Sequence, residues 1–179
     1  MSINVQLVCG PDLKFYDIVA RWPGSTHDAR IFSNSTLKVR FEGGDLTGKG
    51  ILLGDQGYPC LPYLITPLQD PQTPAEKRFN ISHRSTRASI ERALGVLKRR
   101  FPELTTTLQY TPEKSAKIII ASVILHNIAI AHREPEPEVD ESGVCDDDRL
   151  EESCVQGHDD VASAGAGARR SIIVRHFQH

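Results

Sequence analysis

The sequence predicts a mixed α/β fold, and three observations carry that prediction. The first 22 residues alternate apolar and polar side chains about a Gly10-Pro11-Asp12 turn. A short apolar run, Ile51-Leu52-Leu53, ends abruptly in Gly54-Asp55. Beyond residue 84, two stretches read as helices, one amphipathic and one apolar.

Taken in order, Ile3, Val5, Leu7 and Cys9 share one parity, and Phe15, Ile18, Val19 and Trp22 form a second β-rich run. Together they predict an antiparallel hairpin. Pro23-Gly24-Ser25-Thr26 then breaks the strand, and Ser25 or Thr26 is placed to cap a short helix through Ala29-Arg30-Ile31-Phe32. Gly43-Gly44 to Gly48-Lys49-Gly50 reads as a loop. Residues 51–53 read as a buried strand opening into a loop at Asp55, and 61–67 as a second short run punctuated by prolines. The polar stretch 70–84 is expected to cross the surface.

From Ser85 a helix is expected, because Ile90, Leu94, Leu97 and Phe101 recur at helical spacing before Pro102 stops it. Thr111-Pro112-Glu113 supplies an N-cap, a first-position proline and an early acid for a second helix. That helix, through Ile118-Ile119-Ile120, Val123-Ile124-Leu125 and Ile128, is apolar around most of its circumference, which predicts burial. The expected domain is residues 1–133. Glu134-Pro135-Glu136-Pro137-Glu138, three aspartates at 146–148 and a Gly/Ala run predict an acidic disordered segment over 134–168. Residues 169–179 regain apolar side chains and are expected to dock on the domain.

Charge is divided unevenly. Residues 1–133 hold 17 Lys+Arg against 11 Asp+Glu, whereas 134–179 hold 4 against 12. A basic body beside an acidic segment points to a polyanionic partner, although solvation alone produces the same pattern. No apolar run approaches the roughly 20 residues that span a bilayer. Met1-Ser2-Ile3-Asn4 does not begin a secretory signal. The cysteines at 9, 60, 145 and 154 lack zinc-ligand spacing and read as reduced thiols in an intracellular protein. There is no Gly-x-Ser-x-Gly elbow and no phosphate-binding loop.

Three carboxylates invite a chemical reading. Asp28 follows a strand break beside His27, Asp55 ends an apolar run between Gly54 and Gln56-Gly57, and Glu91 lies at the margin of a helix's apolar stripe. Hard divalent cations prefer such oxygens, and paired metals drive phosphodiester cleavage. Each has a plainer reading: Asp55 as a turn residue, Asp28 as a helix-start charge, Glu91 as a surface ion-pair member. Around Glu91 lie Arg84, Arg87 and Arg92, then Lys98-Arg99-Arg100, which suit a phosphate backbone or a solvated helix face. Lys98-Arg99-Arg100 also matches a nuclear import signal weakly. His126 inside the apolar helix reads as a satisfied core residue.

Four blocks carry a family resemblance: VARWPGSTHDARIF at 19–32, LGDQGYP at 53–59, IERALGVLKRRF at 90–101 and LHNI at 125–128. In this order they resemble the Harbinger transposases and the nuclease domesticated from them. The resemblance covers about residues 2–132, and residues 170–177 are similar to the family's C-terminus. It implies a ribonuclease-H-like mixed sheet with flanking helices and a metal-dependent DNA endonuclease using Mg²⁺ or Mn²⁺. By position, Asp28, Asp55 and Glu91 match the family's metal-binding carboxylates, with Asp55 and Glu91 as catalytic residues. Arg84, Arg87, Arg92, Lys98, Arg99 and Arg100 are the expected DNA contacts. The family's first acid, in an Asp-Gly-Thr-His-like block, has no counterpart before Ser2. A truncated domain lacking its first strand and impaired in cleavage is therefore expected. The alternative is a non-catalytic DNA-binding or protein-interaction module. A nuclear location with the cytoplasm as a second compartment, a Myb-like partner protein and no membrane association complete the expectations.

Overall fold

The computed structural model describes residues 2–46, 48, 50–138 and 159–178. In chain order its elements are strands β1 (Ile3–Cys9) and β2 (Phe15–Pro23), helices α1 (Asp28–Ser33) and α2 (Thr36–Glu42), and short strands β3 (Leu52–Leu53) and β4 (Leu64–Ile65). Helix α3 (Pro74–Arg100) follows, then a 3₁₀ turn at Pro102–Thr105, α4 (Pro112–Ala131) and α5 (Asp159–Phe177). The mixed α/β expectation holds. Among the described residues the strands form two separate pairs, β1 with β2 antiparallel and β3 with β4 parallel.

Two compact units share the chain. One takes the hairpin, the second half of α3 and α4; the other takes α1, α2, β3, β4, the first half of α3 and α5. In the first, the odd-numbered face of β1 packs through Leu7 and Cys9 against Phe15, Ala93, Leu97 and Val123. Ile90, Leu94 and Phe101 join the same cluster, so the stripe read from their spacing is the core face. Asn127 secures α4 to β2, its Oδ1 accepting from the Phe15 N–H (2.9 Å) and its Nδ2 donating to the Phe15 carbonyl (2.7 Å). Beside it, fully buried His126 bonds the Leu13 carbonyl through Nε2 at 3.0 Å, supporting a leucine held at φ 62°.

α4 is not buried as expected. Ile124, Leu125 and Ile128 are about half exposed, while Ser115, Ser122, Val123 and His126 face inward. Apolar count misjudges the face: the hairpin selects the side of α4 carrying its two polar clamps. By length and composition α4 is the one helix among the described residues able to cross a bilayer.

The second unit is built on Ile65, Phe79 and Ile173, with Leu53, Leu68, Ile172 and Phe177 around them. β4 is its buried strand, whereas Leu52 and Leu53 are only half-buried and Ile51 is exposed. α3 starts eleven residues before the expected Ser85, so the polar stretch 70–84 is largely helical. Its cause is a capping box: the Glu76 N–H donates to Thr73 Oγ1 at 3.2 Å, and Glu76 Oε2 accepts from the Thr73 N–H at 2.8 Å, with Pro74 between. The cap of α1 is likewise displaced from Ser25 or Thr26 to His27, whose side chain makes no capping hydrogen bond.

α5 begins at Asp159, inside the stretch expected to lack order, while 139–158 lie outside the described residues. Residues 169–177 return onto this unit through Arg169, whose guanidinium donates to the Thr66 and Pro67 carbonyls at 3.1 Å each. Gly165 makes the approach possible, since a Cβ there would lie 2.0 Å from the Cys60 carbonyl oxygen.

Candidate active site

Two of the three predicted carboxylates meet in the second unit. The turn after β3 is tight: Gly54 donates to the Ile65 carbonyl at 3.0 Å, and a Cβ there would lie 3.1 Å from the Leu64 side chain and 3.2 Å from that of Tyr58. Asp55 then closes an Asx turn: Oδ1 accepts from the Gly57 N–H at 2.9 Å, and its carbonyl accepts from the Tyr58 N–H at 3.3 Å. The turn reading of Asp55 is thus right, and it also aims the carboxylate. Asp28 enters as the first residue of α1, whose buried Ile31 and Phe32 anchor that helix.

Gly57 marks where the two acids converge. A Cβ on Gly57 would lie 3.1 Å from Asp55 Oδ1 and 4.0 Å from Asp28 Oδ2. The two oxygens are therefore separated by no more than about 7 Å, the sum of those distances. A hydrogen at this position leaves a small acid-lined cradle that any side chain would fill.

The surrounding charges are unusual for a turn. Arg87, expected to contact DNA, places Nη2 3.5 Å from Asp55 Oδ2. Tyr58 packs edge-on to Phe32, ring centroids 6.0 Å apart. Burial first, then the Asp28 and Asp55 carboxylates, push its hydroxyl well above the usual phenol range, with Arg87 partly offsetting them. Tyr58 therefore stays a neutral hydrogen-bond donor beside the acids. Buried His83 contacts the Ile65 carbonyl through Nε2 at 3.1 Å, and burial lowers its pKa from 6.5. Sequence reasoning misses Tyr58 and Gly57 as site residues, although both lie in the 53–59 block.

The remaining predicted residues are on α3. Glu91 is exposed on the part of α3 that belongs to the first unit, one helical turn beyond Arg87. Among the described residues no three His, Cys, Asp or Glu side chains form a metal-binding group. Arg84 and Lys98 are exposed on α3. Arg92 and Arg99 face Glu136, at 2.9 and 3.9 Å, and Arg100 donates to the Pro135 carbonyl at 3.2 Å.

With this geometry established, comparison with known proteins is informative. A family model described as DDE superfamily endonuclease matches residues 1–127. The human protein named "Putative nuclease HARBI1" is 39% identical over 134 residues, covering 73% of this chain and 38% of its own length. Its Xenopus laevis counterpart is 36% identical over 179 residues, covering 98% and 50%. The Arabidopsis thaliana "Protein ALP1-like" is 32% identical over 144 residues, covering 72% and 35%. The chain thus spans between about a third and a half of these relatives' lengths. No solved structure gives a significant match.

Proposed function

We propose, from the premise that this chain belongs to the DDE superfamily endonucleases, that it is a metal-dependent DNA endonuclease domain of transposase origin. The observation carrying this reading is the convergence of the Asp28 and Asp55 carboxylates about side-chain-free Gly57. Carboxylate oxygens around a small open space suit a hard cation such as Mg²⁺ or Mn²⁺. Asp28 and Asp55 would hold it, with Glu91 as the third acid on the strength of the motif order. When bound, such an ion supplies a Lewis acid for the phosphodiester and makes water a better nucleophile at neutral pH.

The chain's own residues prepare the site. The Gly57 N–H fixes one Asp55 oxygen, and Arg87 screens the other. Tyr58 offers a proton-bearing donor, and Arg84 and Lys98 remain on the surface of α3 for phosphate contacts. A hairpin, a strand leading to an Asp and a long helix bearing a Glu follow one another as a ribonuclease-H-like domain requires, which supports that finer fold reading. Weak cleavage by this chain is part of the proposal, and the cationic Arg87 beside Asp55, which would compete with a metal there, supports it. The same ion pair favours a second reading, a DNA-binding or protein-interaction module without catalysis. A nuclear location and a Myb-like partner belong to the first reading through the family resemblance.

Plasmid nicking in Mn²⁺ tests the proposal. Slow nicking that disappears in Asp55→Ala and Glu91→Gln and on chelation is expected. Nicking indifferent to Asp55→Ala would remove these residues from the chemistry, and salt-sensitive DNA binding without nicking would leave the second reading.

A further inference from the structure

Just past α4 the chain turns back over basic residues. His132, Arg133 and Glu134 close the helix with a Schellman arrangement: the Arg133 N–H donates to the Ile130 carbonyl at 3.0 Å, and the Glu134 N–H to the Ala129 carbonyl at 2.9 Å. The left-handed position falls on Arg133 (φ 58°) rather than on a glycine, so the exit direction is imposed on a residue that resists it. Pro135 and Pro137 then alternate with Glu134, Glu136 and Glu138. Proline-rich backbone is stiff and extended, so this segment leaves the helix as a strap rather than a loose tail.

The strap ends on three arginines. Glu136 Oε1 lies 2.9 Å from Arg92 Nη2, its Oε2 lies 3.9 Å from Arg99 Nη2, and the Pro135 carbonyl accepts from Arg100 Nη2 at 3.2 Å. One carboxylate shared between two guanidinium groups occupies the position that the two non-bridging oxygens of a phosphate would take. The strap leaves the donors incompletely met, because the shielded Nε–H groups of Arg99 and Arg100 have no acceptor among the described residues.

We propose that Arg92, Arg99 and Arg100 form a subsite for a DNA backbone phosphate, and that residues 134–138 occupy it in cis as an acidic plug. The inference rests on the DNA-binding reading above and adds to it a site and its competitor. The plug is weak enough to yield: the Arg92 and Glu136 side chains are 65% and 46% exposed, and exposed ion pairs contribute only about 0–1 kcal/mol. A polyanion presenting several phosphates at once displaces one glutamate readily, whereas an isolated phosphate does not. The strap thereby sets a threshold, admitting extended nucleic acid and rejecting small anions.

Fluorescence anisotropy of a labelled short DNA duplex with the full 179-residue chain tests this. Glu136→Gln is isosteric and should tighten binding about threefold to tenfold. Arg92→Gln combined with Arg99→Gln should weaken binding about tenfold or more, and in that background Glu136→Gln should have no further effect. If the arginine pair matters but Glu136→Gln changes affinity less than about twofold, the plug is refuted and the DNA-binding reading survives. If the duplex binds equally well without Arg92 and Arg99, the subsite is wrong and the DNA-binding reading survives; if it binds neither wild type nor Glu136→Gln, both are wrong.

Discussion

Arg87 and Asp55 form an ion pair at the heart of the candidate site, Nη2 to Oδ2 at 3.5 Å, while the other Asp55 oxygen is held by the Gly57 N–H at 2.9 Å. On the reading proposed above, the guanidinium and a metal would share one carboxylate. Both partners are partly exposed, so the pair contributes at most about 1 kcal/mol.

Removing that competitor should favour the metal. Arg87→Gln is expected to tighten Mn²⁺ binding by up to about fivefold in calorimetry or electron paramagnetic resonance titrations. Asp55→Asn should abolish the response. Unchanged Mn²⁺ affinity in Arg87→Gln would mean that the two cations do not share the carboxylate.

Gly57 makes a sharper prediction about the same cradle. A Cβ 3.1 Å from Asp55 Oδ1 forces the carboxylate to move. Gly57→Val should weaken Mn²⁺ binding while leaving the melting temperature almost unchanged, because the cradle is not part of the apolar core. Equal metal affinity in this variant would place the cation elsewhere.

Asn127 has a large structural role. Its amide pairs with both backbone groups of Phe15. Asn127→Ala should cost about 1–3 kcal/mol, since two partly buried backbone groups lose their partner. Asn127→Asp should also destabilise, because it keeps the acceptor and loses the donor. Denaturant titration reads both values.

Stability should fall with mild acid. Burial lowers the pKa of His83 and His126 from 6.5, so the unfolded chain takes up protons that the folded state resists. Their contribution is complete above about pH 6.5 and declines as the pH falls below it, levelling once the folded imidazoles also protonate. Thermal melts between about pH 7.5 and 5.5 should show this loss, and His83→Gln should flatten the curve. A melting temperature constant over that range would show that neither ring resists protonation.

Two glycines of α5 should behave oppositely. Gly165→Val drives a methyl-bearing carbon into the Cys60 carbonyl and should destabilise by about 1–3 kcal/mol. At Gly167 a Cβ would meet nothing within 4 Å, so Gly167→Ala should stabilise the helix by about 0.5–1 kcal/mol. Melting temperatures of the two variants decide it.

Regular periodicity is the legible part of this chain. The hairpin announces itself in its alternation, and the second half of α3 in Ile90, Leu94, Leu97 and Phe101. The first half of α3 is polar enough to hide, although Thr73-Pro74-Ala75-Glu76 contains its start signal. Hydrophobic content overstates the burial of α4 because it does not say which face meets a neighbour; Asn127 and His126 choose it. The Gly/Ala run resembles linker composition, yet its smallness serves close backbone approach at Cys60. For the site, 27 residues separate Asp28 from Asp55, and no spacing rule brings them together. Only the motif blocks suggest the pairing, and the folded turn at Gly57 supplies it.

The clamp between Phe15 and Asn127 spans 112 residues of sequence. During synthesis at about 5–20 residues per second, the hairpin therefore waits on the order of ten seconds for the helix that covers it. Throughout that interval Leu7, Cys9 and Ile18 lack their later cover from Val123. For a nascent chain with this architecture, slower translation should lengthen the exposure of that apolar face rather than shorten it.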